Sequence, residues 1–180
     1  MKNTRLLFSP RSLFRIISLF MLSTGISAAA SDTIPLPKYS THYNIKQDAF
    51  KDGADAVKLA TQTQRRILIE LGGDWCSWCK KMDAFFDSNP DIKKKLHQTF
   101  VMLKINVSDE NDNAEFLKAF PKPLGYPHMY VSEYNGRVLS SKDTAEFLNN
   151  GEYSRQAFLD FFDRWNIKNK VSANNSLISP

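Results

Sequence analysis

Two cysteines, Cys76 and Cys79, follow directly on the apolar run Ile67-Leu68-Ile69-Glu70-Leu71 and the pair Gly72-Gly73. A short aliphatic run of this kind suits a buried strand, and the glycines end it. From Cys76 onward the period changes. Cys79, Met82 and Phe86 share one helical face, while Lys80, Lys81 and Asp83 point away from it. The chain is thereby committed to a strand, a tight turn and a helix, with both sulfurs at the turn. A structural disulfide stabilises a fold by closing a long loop in the unfolded chain, and a loop this short restricts little. The sequence holds two cysteines in all, so this pair reads as chemistry rather than as a staple between distant segments.

The flanking segments extend that unit into an α/β pattern. Residues 31–44 carry Pro35 and Pro37 among polar residues and read as an extended lead-in. A helix is expected over 45–65, with Phe50, Ala54 and Val57 on its apolar face. Asn89-Pro90 opens a further helix through Leu96. Phe100–Val107 reads as a central strand, and Ala114–Phe120 as a short helix. His128–Glu133 and Arg137–Ser141 flank Asn135-Gly136, a strong hairpin signal. Ser154 caps a closing helix in which Phe158, Phe161, Phe162 and Trp165 share a face. The first two strands, joined by helices, are expected to run parallel through a right-handed crossover, and the hairpin adds an antiparallel edge. The expected fold is one α/β domain over 45–167, a central mixed sheet flanked by helices, followed by a flexible tail at 168–180.

Charge narrows the partners. The formal net charge is +5, but Lys2, Arg5, Arg11 and Arg15 stand in a first thirty residues that contain no acid. Beyond them the chain is close to neutral, with no electrostatic reason to expect nucleic acid or an anionic membrane. Those thirty residues read as a cleaved signal peptide. A basic front precedes an apolar run from Ile16 to about Ile26, and Ala28 and Ala30 fit a small-residue cleavage site. The run is shorter than the ~20 residues of a membrane span. The expected location is therefore periplasmic or secreted.

The chemistry of Gly73-Asp74-Trp75-Cys76-Ser77-Trp78-Cys79-Lys80-Lys81 follows from its position. A thiolate is the nucleophile of disulfide exchange, and a helix N-terminus stabilises a thiolate. Cys76 stands where that N-terminus is expected. Cys79, one turn on, is placed to close a Cys76–Cys79 disulfide, so that Cys76 attacks a substrate disulfide and Cys79 resolves the mixed disulfide. Other readings of the pair are zinc, haem attachment, and an inert remnant. Zinc needs four ligands, and His42, His97 and His128 are scattered. Haem attachment expects a histidine where Lys80 stands. No phosphate-binding glycine loop is visible, so no nucleotide or flavin cofactor is expected, and no metal.

Glu70-Leu71-Gly72-Gly73-Asp74-Trp75-Cys76-Ser77-Trp78-Cys79-Lys80 resembles the thioredoxin superfamily over roughly residues 45–165. More narrowly, it is similar to the periplasmic C-terminal domain of the transmembrane reductant DsbD and to small exported thioredoxin-like proteins, where D-W-C-x-x-C-K is usual. The resemblance implies a cis-proline facing the disulfide, here Pro127 in Gly125-Tyr126-Pro127-His128, with Tyr126 available to pair with a substrate strand. It implies a buried acid six residues before the first cysteine, here Glu70, which would take the proton of Cys79. A glutamate replaces the usual aspartate. It also implies that Trp75 shapes the substrate surface. His128 stands where threonine is common. A histidine there would lower the Cys76 pKa or relay a proton if it faced the sulfurs, whereas a lone histidine more often packs or hydrogen-bonds.

Together these features point to a thiol–disulfide oxidoreductase that reduces or isomerises disulfides of exported proteins and draws electrons from a membrane-bound donor. A dithiol oxidase of the same fold, or a peptide-binding chaperone-like module with a structural disulfide, are the competing readings.

Overall fold

Every residue from Arg66 to Gly72 is buried, which requires a strand covered on both faces. In the computed structural model, which describes residues 36–168, this segment is strand β1 (Arg66–Gly72) inside a four-stranded sheet. Strand β2 (Phe100–Asn106) pairs parallel with it, from Arg66 opposite Phe100 to Gly72 opposite Asn106. Strand β3 (His128–Ser132) pairs antiparallel on the other side of β1, and β4 (Val138–Asp143) antiparallel with β3. The order is β2-β1-β3-β4, the mixed sheet expected from the sequence. The segment 1–30, expected to be a signal peptide, and the tail from residue 169 lie outside the described residues.

Helices cover both faces. Helix α1 (Ala49–Thr63) packs on one face, against Ile67, Ile69, Leu71 and Tyr130. Helices α2 (Ser77–Ser88) and α3 (Pro90–Thr99) form the crossover from β1 to β2 and cover the other face. Pro90 sits at the first helical position of α3. A short α4 (Ala114–Leu117) precedes β3. The closing helix α5 (Arg155–Trp165) is capped by Ser154, whose hydroxyl accepts the Ala157 N–H, and it buries Phe158, Phe161 and Phe162. Phe158 stacks on Phe147 with ring centroids 4.4 Å apart. Among the described residues no helix is long and apolar enough to cross a membrane.

Three local expectations change. The buried face of α1 is Ala49, Ala56 and Ala60, while Phe50 stays 63% exposed with its ring edge-on to Phe116. Small residues let the helix lie close on the sheet, and a hydrophobicity pattern gives alanine too little weight to reveal it. Second, Asn150-Gly151, both at positive φ, turn a further two-stranded ladder of β5 (Leu148–Asn149) and β6 (Glu152–Tyr153). Third, β2 is an edge strand of the sheet rather than a central one.

The burial of β2 has a specific cause. The segment expected as an extended lead-in instead makes a 3-10 turn at Lys38–Ser40 and runs along the open edge of β2. The Ser40 hydroxyl donates to Met102 O at 2.6 Å. Gln47 Nε2 donates to Lys104 O at 2.7 Å, and Gln47 Oε1 accepts the Asn106 N–H at 3.0 Å. Alternate residues of an edge strand present their backbone groups outward, and here side chains meet them in turn. Replacing Gln47 by alanine leaves two buried backbone groups unpaired. Its expected cost is about 2 kcal/mol, read as a lower denaturant midpoint with an unchanged slope in urea unfolding.

Candidate active site

The end of β1 and the start of α2 build the site. After Gly72 the chain turns, with the Cys76 N–H donating to Gly73 O at 3.0 Å. Cys76 is the N-cap of α2, and its Sγ accepts the Cys79 N–H at 3.1 Å. The sulfur thus occupies the place usually held by a capping oxygen, against the unpaired amides of a helix start. Cys76 and Cys79 form a disulfide, with Cα atoms 5.2 Å apart, and both are buried. Among the described side chains, Tyr43 completes this cluster, with Trp78 and Tyr126 packed on its rim.

Gly72 is required by this crowding. A Cβ there would lie 2.5 Å from Cys79 Sγ and 2.6 Å from the Tyr43 hydroxyl oxygen. Trp75 is 56% exposed beside the sulfurs, fixed by its indole N–H to Val107 O at 2.7 Å and edge-on to Tyr126 at 5.4 Å. The Tyr126–Pro127 peptide bond is cis, as the resemblance implied, and Pro127 is buried. Trp78 is half-buried, edge-on to Tyr153, with the Lys81 ammonium 4.3 Å from its ring centroid.

Glu70 is 1% exposed on the same face of β1 as Gly72. Its Oε1 accepts a hydrogen bond from the Tyr43 hydroxyl and lies 3.1 Å from Lys104 Nζ. Lys104 Nζ also reaches Asp83 Oδ1 at 2.7 Å, and the Asp83 side chain is 46% exposed. Burial pushes the Glu70 carboxyl above its usual range, against the pull of the Lys104 ammonium, with Asp83 adding to the rise. Burial alone would lower Lys104, yet Glu70 and Asp83 hold it above its usual value. The Tyr43 phenol is pushed well up by burial and by the neighbouring Glu70 carboxylate.

Of the two roles the sequence leaves open for His128, the structure places it in the packing one. It pairs with Leu71, so its ring projects to the face opposite Gly72, Cys79 and Tyr43. There it is buried, with Nε2 2.8 Å from Ser141 Oγ and its ring 4.9 Å from that of Tyr130. Burial pulls its pKa down, against the Asp143 and Glu146 carboxylates. It is a core histidine, and strand alternation is the reason.

The site also gathers residues that the sequence reading passed over. Lys104 had a signal. It is a charge inside the apolar run Phe100–Val107, just as Glu70 is inside Ile67–Leu71, and the parallel register sets the two opposite each other. The periodicity of α2 puts Asp83 on its outer face, yet it reaches Lys104. Tyr43 carried no signal at all, because nothing local tells a lead-in tyrosine to enter a core.

Residues 48–132 match the family model described as thioredoxin-like. The fold is thioredoxin-like. The DsbD thiol:disulfide interchange protein of Colwellia psychrerythraea is 29% identical over 102 residues, 56% of this chain and 16% of that protein. Protein disulfide-isomerase 5-2 of Arabidopsis thaliana is 29% identical over 122 residues, covering 67% of this chain and 26% of that one. The chain thus spans a small part of these curated relatives. The crystal structure of a disulphide isomerase from Xylella fastidiosa Temecula1 superposes with a TM-score of 0.58 at 25% identity, over 73% of this chain and 97% of that one. The oxidised C-terminal domain of Neisseria meningitidis DsbD shares the fold at a TM-score of 0.51 and 17% identity, over 66% and 96% of the two chains. Within the stretch matched as thioredoxin-like lie Glu70, both cysteines, Lys104 and Pro127, whereas Tyr43 lies upstream of it.

The crowding at Gly72 sets a matched pair of substitutions. Gly72→Ala forces Cys79 or Tyr43 to shift and is expected to lose about 2 kcal/mol in thermal or chemical unfolding. Gly125→Ala, whose added Cβ meets nothing within 4 Å, is expected to stay within about 0.5 kcal/mol of the parent.

Proposed function

We propose that this chain is an exported thiol–disulfide oxidoreductase that reduces or isomerises disulfides in exported proteins. The observation that carries the reading is the position of Cys76. Its sulfur caps a helix start, beside an exposed tryptophan, with the resolving Cys79 behind it and a buried carboxyl behind that. The helix start stabilises the Cys76 thiolate, which attacks a substrate disulfide and forms a mixed disulfide. Cys79 then attacks Cys76 Sγ, and the substrate leaves as a thiol. Trp75, Tyr126 and Pro127 form the surface on which the substrate chain rests. Glu70 takes up the proton that Cys79 gives away.

Direction and location rest on further support. The curated relatives carry the names thiol:disulfide interchange protein and protein disulfide-isomerase. Residues 1–30 have the basic front, apolar run and small-residue end of an export signal. A reductant outside the cytoplasm needs a source of electrons, and a membrane-bound dithiol donor fits that need.

The reduction potential of the Cys76–Cys79 pair decides the direction. Equilibrating the chain with glutathione and reading Trp75 and Trp78 fluorescence is expected to give a value near the roughly −270 mV of a reductant. A value near about −120 mV makes the protein a dithiol oxidase instead. Cys76→Ala is expected to abolish turnover of a disulfide-bonded protein. A variant that keeps full activity assigns the function to a binding module.

A further inference from the structure

Glu70 and Cys79 share a neighbour that the chemistry above leaves unused. Tyr43 packs on the cysteine pair, and its hydroxyl donates to Glu70 Oε1. Its oxygen and Cys79 Sγ crowd the same point above Gly72, at 2.6 Å and 2.5 Å from where a Cβ would lie. Of the two described side chains that hydrogen-bond Glu70, Tyr43 is the one that belongs to the cysteine cluster. Lys104 fixes it from the other side, with the ammonium 4.6 Å from the ring centroid. Tyr43 belongs to the segment that covers the β2 edge, so the strapping that closes the sheet also places a phenol beside the disulfide.

We infer that Tyr43 is the proton relay between the resolving cysteine and Glu70. The inference rests on the thiol–disulfide reading. In the resolution step the Cys79 S–H proton passes to the Tyr43 oxygen as the Tyr43 O–H proton passes to the Glu70 carboxylate. The Cys79 sulfur pair then forms the bond to Cys76 Sγ. The bond from Cys76 to the substrate sulfur breaks, and its electron pair leaves with the substrate thiolate. The dithiol is oxidised, the substrate disulfide is reduced, and Glu70 holds the proton. A route outward exists on a side distinct from the substrate surface. A cleft of about 450 Å³ is lined by Glu70, Lys104 and Asp83 together with His42 and His97, and by neither Trp75, Tyr126 nor Pro127. Burial, which raises Glu70, makes it a stronger base than a surface carboxylate.

The two chemical steps separate when the reduced full chain reacts with 5,5′-dithiobis(2-nitrobenzoate). The first nitrothiobenzoate released reports attack by Cys76, and the second reports resolution by Cys79. Tyr43→Phe keeps the ring and removes the hydroxyl. The expected result is an unchanged first phase and a second phase slowed at least about tenfold at pH 7, less than the roughly hundredfold or more of a positioned general base because Glu70 stays in place. The loss shrinks as pH rises and hydroxide takes the proton directly. Glu70→Gln with Tyr43→Phe is expected to be no slower than Glu70→Gln alone, because the two act in series. In the unmodified protein the second phase carries a normal solvent deuterium isotope effect, which keeps the relay testable if the variant does not fold. A second phase at the parent rate, an equal slowing of both phases across pH, or an isotope effect of unity each overturns the relay while leaving the cysteine chemistry intact. A parent protein that releases no second equivalent overturns the thiol–disulfide reading as well.

Discussion

A strand that is buried on both faces leaves the rest of this chain few choices. Strand β1 has no exposed side, so helices must lie above and below it, and its backbone must be paired on both edges. The α1 face is closed with alanines, and the opposite face with an aromatic cluster from α5 and Phe147. The same burial turns Glu70 into a problem that the fold must answer. A carboxyl in such a position is stable only when its oxygens are met, because the desolvation cost of an unmet charge is several kcal/mol. Lys104 from β2 and Tyr43 from the N-terminal strap both answer it at Oε1.

That answer also organises the site. Lys104 spans from Glu70, with almost no exposure, to Asp83, which is nearly half-exposed. The buried charge is thereby connected to solvent through one ammonium, on a side of the molecule away from Trp75 and Tyr126. The sulfur side is arranged by backbone rather than by charge. Cys76 takes the capping position of α2, and the absence of a side chain at Gly72 lets Cys79 and Tyr43 approach β1. Three requirements thus converge within one strand end: a place for a thiolate, room for a second sulfur, and a buried titratable group.

The segment before α1 ties these parts together. Ser40 and Gln47 satisfy the outward backbone of β2, and Tyr43 between them projects inward. A strap that closes a sheet edge would tolerate many sequences. One that also reaches a disulfide and a buried acid couples the integrity of the edge to the electrostatics of the site. Loosening the strap is therefore a chemical change as well as a structural one.

Much of this was legible in the chain itself. The aliphatic run, the double glycine and the change of period at Cys76 determined the strand–turn–helix unit and its redox pair, because those signals are local and backbone-driven. Asn135-Gly136 and the Ser154 cap determined the hairpin and the closing helix for the same reason. The sequence by itself also marked Glu70 as an unusual charge. Only the tertiary structure decided what answers that charge. The β1–β2 register chose Lys104, and strand alternation turned His128 away from the sulfurs. The covering of an edge strand brought in Tyr43 from a segment with no periodicity to reveal it. Local chemistry specifies elements, whereas register, facing and edge closure arise only when elements far apart in sequence compete for the same buried space.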